Sequence, residues 1–113
     1  MARRRICHAL IEQPRITERE LGLDRYQWSE WMMLLDLYMI EQQDMEEVFR
    51  QFSRNSGRSE TTGYRRTVEM VDDGLLDRIP DPRDRRRSFI RLSARTRAKM
   101  DRVMDSLATL LLA

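Results

Sequence analysis

The sequence predicts a mainly α-helical domain carrying one small antiparallel β-hairpin, an α+β fold, and three observations lead there. Apolar residues recur at helical spacing over several stretches. Between about residue 75 and residue 92 the apolar period switches to two. Serines and glycines stand where one period gives way to the next, as helix caps and turns require. With 113 residues the chain makes a single domain over 1–113, and 41% hydrophobic with 35% charged residues fits a globular protein with a heavily charged surface.

Residues 1–28 read as a short N-terminal arm. Ile6, Ala9 and Leu10 have helical spacing, Pro14 interrupts it, and Ile16 to Leu21 offer a further turn of helix before Gly22. Arg3, Arg4 and Arg5 serve either as a phosphate-contacting arm or as a solubilising end. The first clear helix is SEWMMLLDLYMIEQ, residues 29–42, with Ser29 as its cap. Apolar residues cover most of its faces, which makes it the central core helix. Trp28 and Trp31 are expected in the core or an interface.

A short helix is expected over 45–52, because Met45, Val48, Phe49 and Phe52 stand at i, i+3, i+4 and i+7. The polar turn SRNSGR follows, then Ser59 as cap of a third helix over 60–73, with Tyr64, Val68, Val71 and then Leu75 on one stripe and Gly74 closing it. Two helices joined by a short polar turn make a helix-turn-helix.

Beyond Gly74, Leu76, Arg78 and Pro80 alternate with Leu75, Asp77 and Ile79, and later Ile90 and Leu92 alternate with Phe89 and Arg91. That is a hairpin whose tip is DPRDRRR. Ser93 caps a last helix over 94–113, with Met100, Val103, Met104, Leu107, Leu110 and Leu111 on one side. This stripe is expected to make a homodimer interface.

The net charge of +2 conceals an asymmetry. Residues 1–49 hold six arginines against ten carboxylates, a net −4; residues 50–99 hold fourteen basic residues against seven acidic ones, a net +7. A localised basic face over helix, turn and hairpin suits a polyanion, above all a nucleic acid. A helix following such a turn fits the major groove of duplex DNA, and Thr61, Thr62, Tyr64, Arg65 and Arg66 all carry hydrogen-bonding groups for base edges or phosphates. Arginines at the hairpin tip suit phosphates or the adjacent minor groove.

Here the sequence resembles the MarR-type winged-helix transcription regulators, from about Trp31 to Met104. The most specific stretch is MVDDGLLDRIPDPRDRRR, similar to that family's end of recognition helix, glycine and wing. Asp84 and Arg86 match its Asp-x-Arg, and Leu92-Ser93 match its Leu-Thr. The resemblance implies a winged helix-turn-helix in which Arg65 lies in the recognition helix and Arg86 contacts the minor groove or backbone. Asp84 would hold the wing by pairing with a nearby arginine, and Arg85 and Arg87 would serve beside it. The chain departs from the family pattern at Thr96, where a glycine is usual, and at Arg66 and Thr67, where apolar residues are common.

The function expected is therefore sequence-specific binding of double-stranded DNA by a homodimeric transcription regulator in the cytoplasm, with an unidentified small-molecule effector as a further partner that the resemblance implies. The alternative is a winged-helix protein-interaction module acting on another regulator. One histidine, one cysteine, no Gly-rich phosphate loop and no ligand cluster at metal spacing argue against an enzyme, a cofactor or a metal site. Cys7 beside the N-terminal arginines offers a redox-sensing role. No stretch approaches the ~20 apolar residues of a membrane span. The single cysteine, without a secretion signal, suits a reducing compartment.

Overall fold

Burial decides which helix the others surround. In the computed structural model, which describes residues 2–112, helix α2 (Trp28–Gln42) places Met33, Leu34 and Leu37 out of contact with solvent. Around it run α1 (Ala2–Leu21), strand β1 (Glu47–Val48), α3 (Phe49–Arg54), α4 (Glu60–Asp72), β2 (Leu76–Pro80), β3 (Ser88–Leu92) and α5 (Ala94–Leu112). Phe52, Met70, Leu76, Ile90, Leu92, Met100 and Val103, contributed by α3, α4, β2, β3 and α5, complete one core. The result is mainly α with a small three-stranded antiparallel sheet in the order β1-β3-β2. No helix among the described residues is long and apolar enough to cross a membrane.

The N-terminal arm expected over 1–28 is instead mostly helix. α1 runs unbroken for 20 residues through Pro14, about 30 Å at the α-helical rise. Proline removes the hydrogen bond that the Leu10 carbonyl would accept. Both Pro14 and Leu10 are exposed, so solvent can replace that bond, while Thr17 donates its hydroxyl to the Gln13 carbonyl at 2.8 Å. Tertiary packing overrides the break: Ala9, Ile16, Thr17 and Leu21 bury themselves, and Arg102 of α5 donates to Glu20 at 2.6 Å. That arginine holds the Glu20 carboxyl below its ordinary range.

Most of the C-terminal stripe packs within the chain. Met100 and Val103 are fully buried, and Met104, Leu107 and Leu110 pack on the core beside α1, leaving Leu111 and Leu112 exposed. α5 is also tied to α2, because the Tyr38 phenol donates to Asp101 at 2.6 Å. That bond, with burial and the negative charge of Asp101, pushes the phenol up to about 12.

Two local expectations fail for identifiable reasons. Ser29 does not cap α2: Asp24 caps a single 3-10 turn at Arg25–Gln27 that runs into the helix, and the Ser29 hydroxyl donates to the Ser56 carbonyl at 2.7 Å. The helix expected over 45–52 begins only at Phe49, since Glu47 and Val48 pair with Ile90 and Phe89 as a third strand. Trp31 is buried as expected, whereas Trp28 is more than half exposed.

The caps of α4 and α5 are where the sequence puts them. Ser59 accepts from Thr62 N–H at 3.2 Å, and Ser93 from Thr96 N–H at 3.2 Å. At the end of α4, Gly74 takes φ 77° and lets the Leu75 N–H return to the Met70 carbonyl at 3.0 Å. Thr96, where the resemblance expects glycine, is wholly buried under that serine cap.

α3 and α4 meet at Gly63. A methyl group there would drive into the backbone carbonyl of Ser53 and reach 2.8 Å from the Ser56 hydroxyl. One turn on, the buried Ser53 and Thr67 hydroxyls hydrogen-bond at 2.9 Å, with Thr67 donating to the Gly63 carbonyl at 2.8 Å. In an unencumbered helix glycine-to-alanine stabilises by about 1 kcal/mol. Here the clash should win, so Gly63→Ala is expected to destabilise the domain by ~1–3 kcal/mol in urea unfolding; a variant as stable as the parent would contradict this close approach.

Candidate nucleic-acid interface

The turn that ends α3 and the cap at Ser59 fix where α4 begins, and Gly74 fixes where the hairpin leaves it. The consequence is a shared opening. One concavity of about 580 Å³ is lined by Glu60 and Tyr64 of α4, by Phe49, Arg50 and Arg54 of α3 and by Arg78 of β2. Asp84, Arg86 and Arg87 of the hairpin tip form its other wall. The third helix and the hairpin thus border the same cleft.

On α4, Thr61, Tyr64 and Arg65 are exposed. Arg65 has no hydrogen-bond or ion-pair partner among the described residues, so its guanidinium is free for a ligand. The Tyr64 ring stands edge-on to Phe49 at 5.2 Å, which steadies the side chain while half of it remains open to solvent. Thr62 is drawn into the helix cap, its hydroxyl accepting from Ser59 at 2.9 Å.

Arg66 does not join them. Its side chain is 18% exposed and reaches across to α2, with Nε donating to Glu30 at 3.0 Å and a terminal nitrogen donating to Glu69 at 3.0 Å. The guanidinium that the sequence offers to DNA is thus engaged by carboxylates of α2 and α4. Sequence spacing did not reveal this, because the carboxylate that claims it lies 36 residues earlier.

The hairpin tip sorts its charges. Asp81 is buried, accepting Arg83 N–H at 2.9 Å and gripping Arg87 at 2.8 Å. Arg87 also lies over the Phe89 ring at 5.4 Å, so it secures the loop from within. Asp84 accepts both the backbone N–H and the Nε of Arg86, at 3.0 and 3.3 Å. The Arg86 side chain remains 92% exposed, and Arg85 is exposed without a partner among the described residues. Arg85 and Arg86 therefore face outward, whereas Arg87 is divided between loop and solvent.

Three basic residues on the cleft were not singled out from the sequence. Arg54 pairs with Glu60 at 3.2 Å, and Arg50 is exposed. The Arg78 guanidinium lies 4.0 Å from the Phe49 ring centroid, with Nε directed to the Ser88 hydroxyl at 3.3 Å. Its place in the strand alternation was legible; its ring partner, on another element, was not. No group of three or more histidine, cysteine or acidic side chains among the described residues is placed to hold a metal. Cys7 is exposed on α1, away from the cleft residues.

Asp81 makes the tip sensitive to acid. The Arg83 amide first, and the Arg87 guanidinium with it, hold its carboxyl below the ordinary range against the opposing effect of desolvation. The stabilisation is complete above the unfolded aspartate value of about 3.9 and is lost as pH falls through the lower folded value. Asp81→Asn should therefore unfold at lower urea than the parent at pH 7, with the difference shrinking below about pH 4. A difference that stays constant down to pH 2 would contradict the assignment.

No protein-family model matches the chain, and no curated protein matches it in sequence. Solved structures do resemble it. The transcriptional regulator Tm0710 from Thermotoga maritima superposes with TM-score 0.67 at 20% identity, over 96% of this chain and 72% of that one. The heme sensor protein PefR, in complex with heme and carbon monoxide, gives 0.64 at 15% identity over 99% and 77%. A mutant MarR from E. coli complexed with operator DNA gives 0.54 at 15% identity over 96% and 77%. At these identities the likeness is one of architecture: the chain has the winged-helix fold of these regulators.

Proposed function

We propose that this protein is a sequence-specific double-stranded DNA-binding transcription regulator of MarR type. The observation that carries the reading is the shared cleft: Glu60 and Tyr64 of α4, next to the exposed Thr61 and Arg65, border one concavity with Asp84, Arg86 and Arg87 of the tip, in the region of the chain that holds its positive charge. A helix beside a basic wing matches duplex DNA as a ligand, with the helix in the major groove and the wing on the backbone or the neighbouring minor groove. Thr61, Tyr64 and Arg65 read base edges or fix the register. Thr62 supports the helix start, and Arg85 and Arg86 serve the wing with Asp84 and Arg87 holding its shape. Two of the structural relatives support the partner, being solved with DNA: AbfR and the E. coli MarR mutant.

The same reading includes a homodimer. Ile6, Leu10 and Ile11 on α1 and Leu111 and Leu112 on α5 leave large apolar side chains in solvent at one end of the α1–α5 pair. The contact is thus shared between both terminal helices rather than made by the C-terminal stripe alone. Two-fold pairing would set two recognition helices over half-sites about 34–36 Å apart. Leu10→Glu is expected to shift the protein to monomer in sedimentation equilibrium at micromolar concentration; a parent that is already monomeric there would remove the dimer from this account.

Selection of bound duplexes from random DNA, then titration at several salt concentrations, tests the function. Arg86→Ala should weaken binding to all sequences and reduce the slope of log affinity against log salt by about 0.9. Arg65→Ala should cost ~1–3 kcal/mol on the selected duplex and relax preference at one position. Equal losses of Arg65→Ala on selected and random DNA would assign it to phosphate instead. A parent that binds no duplex at low salt would favour a protein-docking module.

A further inference from the structure

Glu30 is a carboxylate where neither solvent nor a polyanion needs one. It stands in the first turn of α2 with its side chain 4% exposed. Its Oε1 receives Arg66 Nε at 3.0 Å and lies 3.6 Å from a terminal nitrogen of Arg58. Its Oε2 is buried without a hydrogen-bond partner. Arg66 belongs to the middle of α4 and Arg58 to the turn just before it. One buried carboxylate therefore holds both the approach to α4 and its second turn against α2.

As a source of stability this arrangement is poor. Desolvating a carboxylate and a guanidinium offsets most of their attraction, and a half-satisfied carboxylate adds to that loss. A packed apolar pair would hold α4 to α2 at least as well. What apolar contact would not supply is direction. A charge-assisted hydrogen bond has a defined donor angle and length, whereas apolar surfaces tolerate sliding and rotation. Arg66 is further restricted because its fork reaches Glu30 with one nitrogen and Glu69 with another. The rotation of α4 about its own axis is thereby set, and Arg65, about 100° around the helix from Arg66, is aimed outward by it.

We infer that Glu30 is a positioning residue for DNA reading: through Arg66 and Arg58 it fixes the rotation of α4, and so acts on discrimination between sequences rather than on general affinity for phosphate. This rests on the reading of α4 as the recognition helix. It assigns Arg66 to aiming its neighbour rather than to touching DNA.

Two substitutions test it. Glu30→Gln keeps the shape and removes the charge. Arg66→Lys keeps the charge but loses the fork that reaches two carboxylates. Dissociation constants would be measured for the duplex selected by the parent and for a random duplex of equal length, at one salt concentration and a temperature where circular dichroism shows each variant folded. Both variants should lose at least tenfold on the selected duplex and stay within twofold on the random one. Amide exchange over 63–72 should quicken in both, with α1 unchanged.

Three results would overturn the inference: parental discrimination in Arg66→Lys, equal losses on both duplexes, or tighter binding of random DNA by Glu30→Gln. The last would show that Glu30 merely withholds two arginines from phosphate. A parent that selects no duplex would instead overturn the DNA reading, while the exchange rates would still report whether Glu30 anchors α4.

Discussion

The burial of α2 is the constraint on which the other elements depend. Met33, Leu34 and Leu37 bury one face of this helix along its middle, while Asp36 and Met39 leave the other to solvent, so the core elements gather on the buried side. Its two ends then do different work through charged groups. Glu30 holds Arg66 of α4. Eleven residues on, Glu41 accepts the Leu92 N–H at 2.9 Å and pairs with Arg97 at 2.7 Å, gripping the base of the hairpin and the start of α5. Because one helix carries both anchors, α4 and the hairpin are referred to the same frame. Their common cleft follows from that frame and from the close approach at Gly63.

The arginine-rich composition is resolved by the fold into two populations. Arg58, Arg66, Arg87, Arg97 and Arg102 are committed to carboxylates and hold elements together. Arg65 and Arg85 carry no such partner among the described residues, and Arg86 is held at its root yet open along its length. Around the cleft the unpaired charges of the described residues lie on α3, α4 and the tip, at Arg50, Arg65 and Arg85, while Arg3, Arg4 and Arg5 form a separate group at the start of α1. Exposed pairs contribute little to stability, so this sorting matters more for where a polyanion is drawn than for how firmly the chain folds.

Legibility in the sequence followed the range of the interaction. Features set by a few neighbouring residues could be read: the Ser59 and Ser93 caps, the turn at Gly74, and the alternation of Leu76 and Arg78 against Ile90 and Leu92. Features set across the chain could not. Pro14 reads as a break, yet packing on α5 carries α1 through it. Val48 keeps helical spacing with Phe52, yet the edge of β3 claims it as strand. Arg66 sits beside Arg65 in sequence and looks equivalent to it, yet Glu30 pairs with Arg66 and leaves Arg65 exposed. Gly63 carried a local signal, a glycine inside an otherwise regular helix, and its meaning as a contact point became visible only with Ser53 opposite.

The central claim is that α4 and the hairpin tip engage one duplex together as a single surface. An amide NMR titration of the protein with its selected duplex tests this most directly. The account predicts that signals of residues 61–65 and of residues 84–87 shift in parallel, saturating at the same DNA concentration. Shifts confined to one of these segments, or centred on the exposed apolar end of α1 and α5, would contradict it.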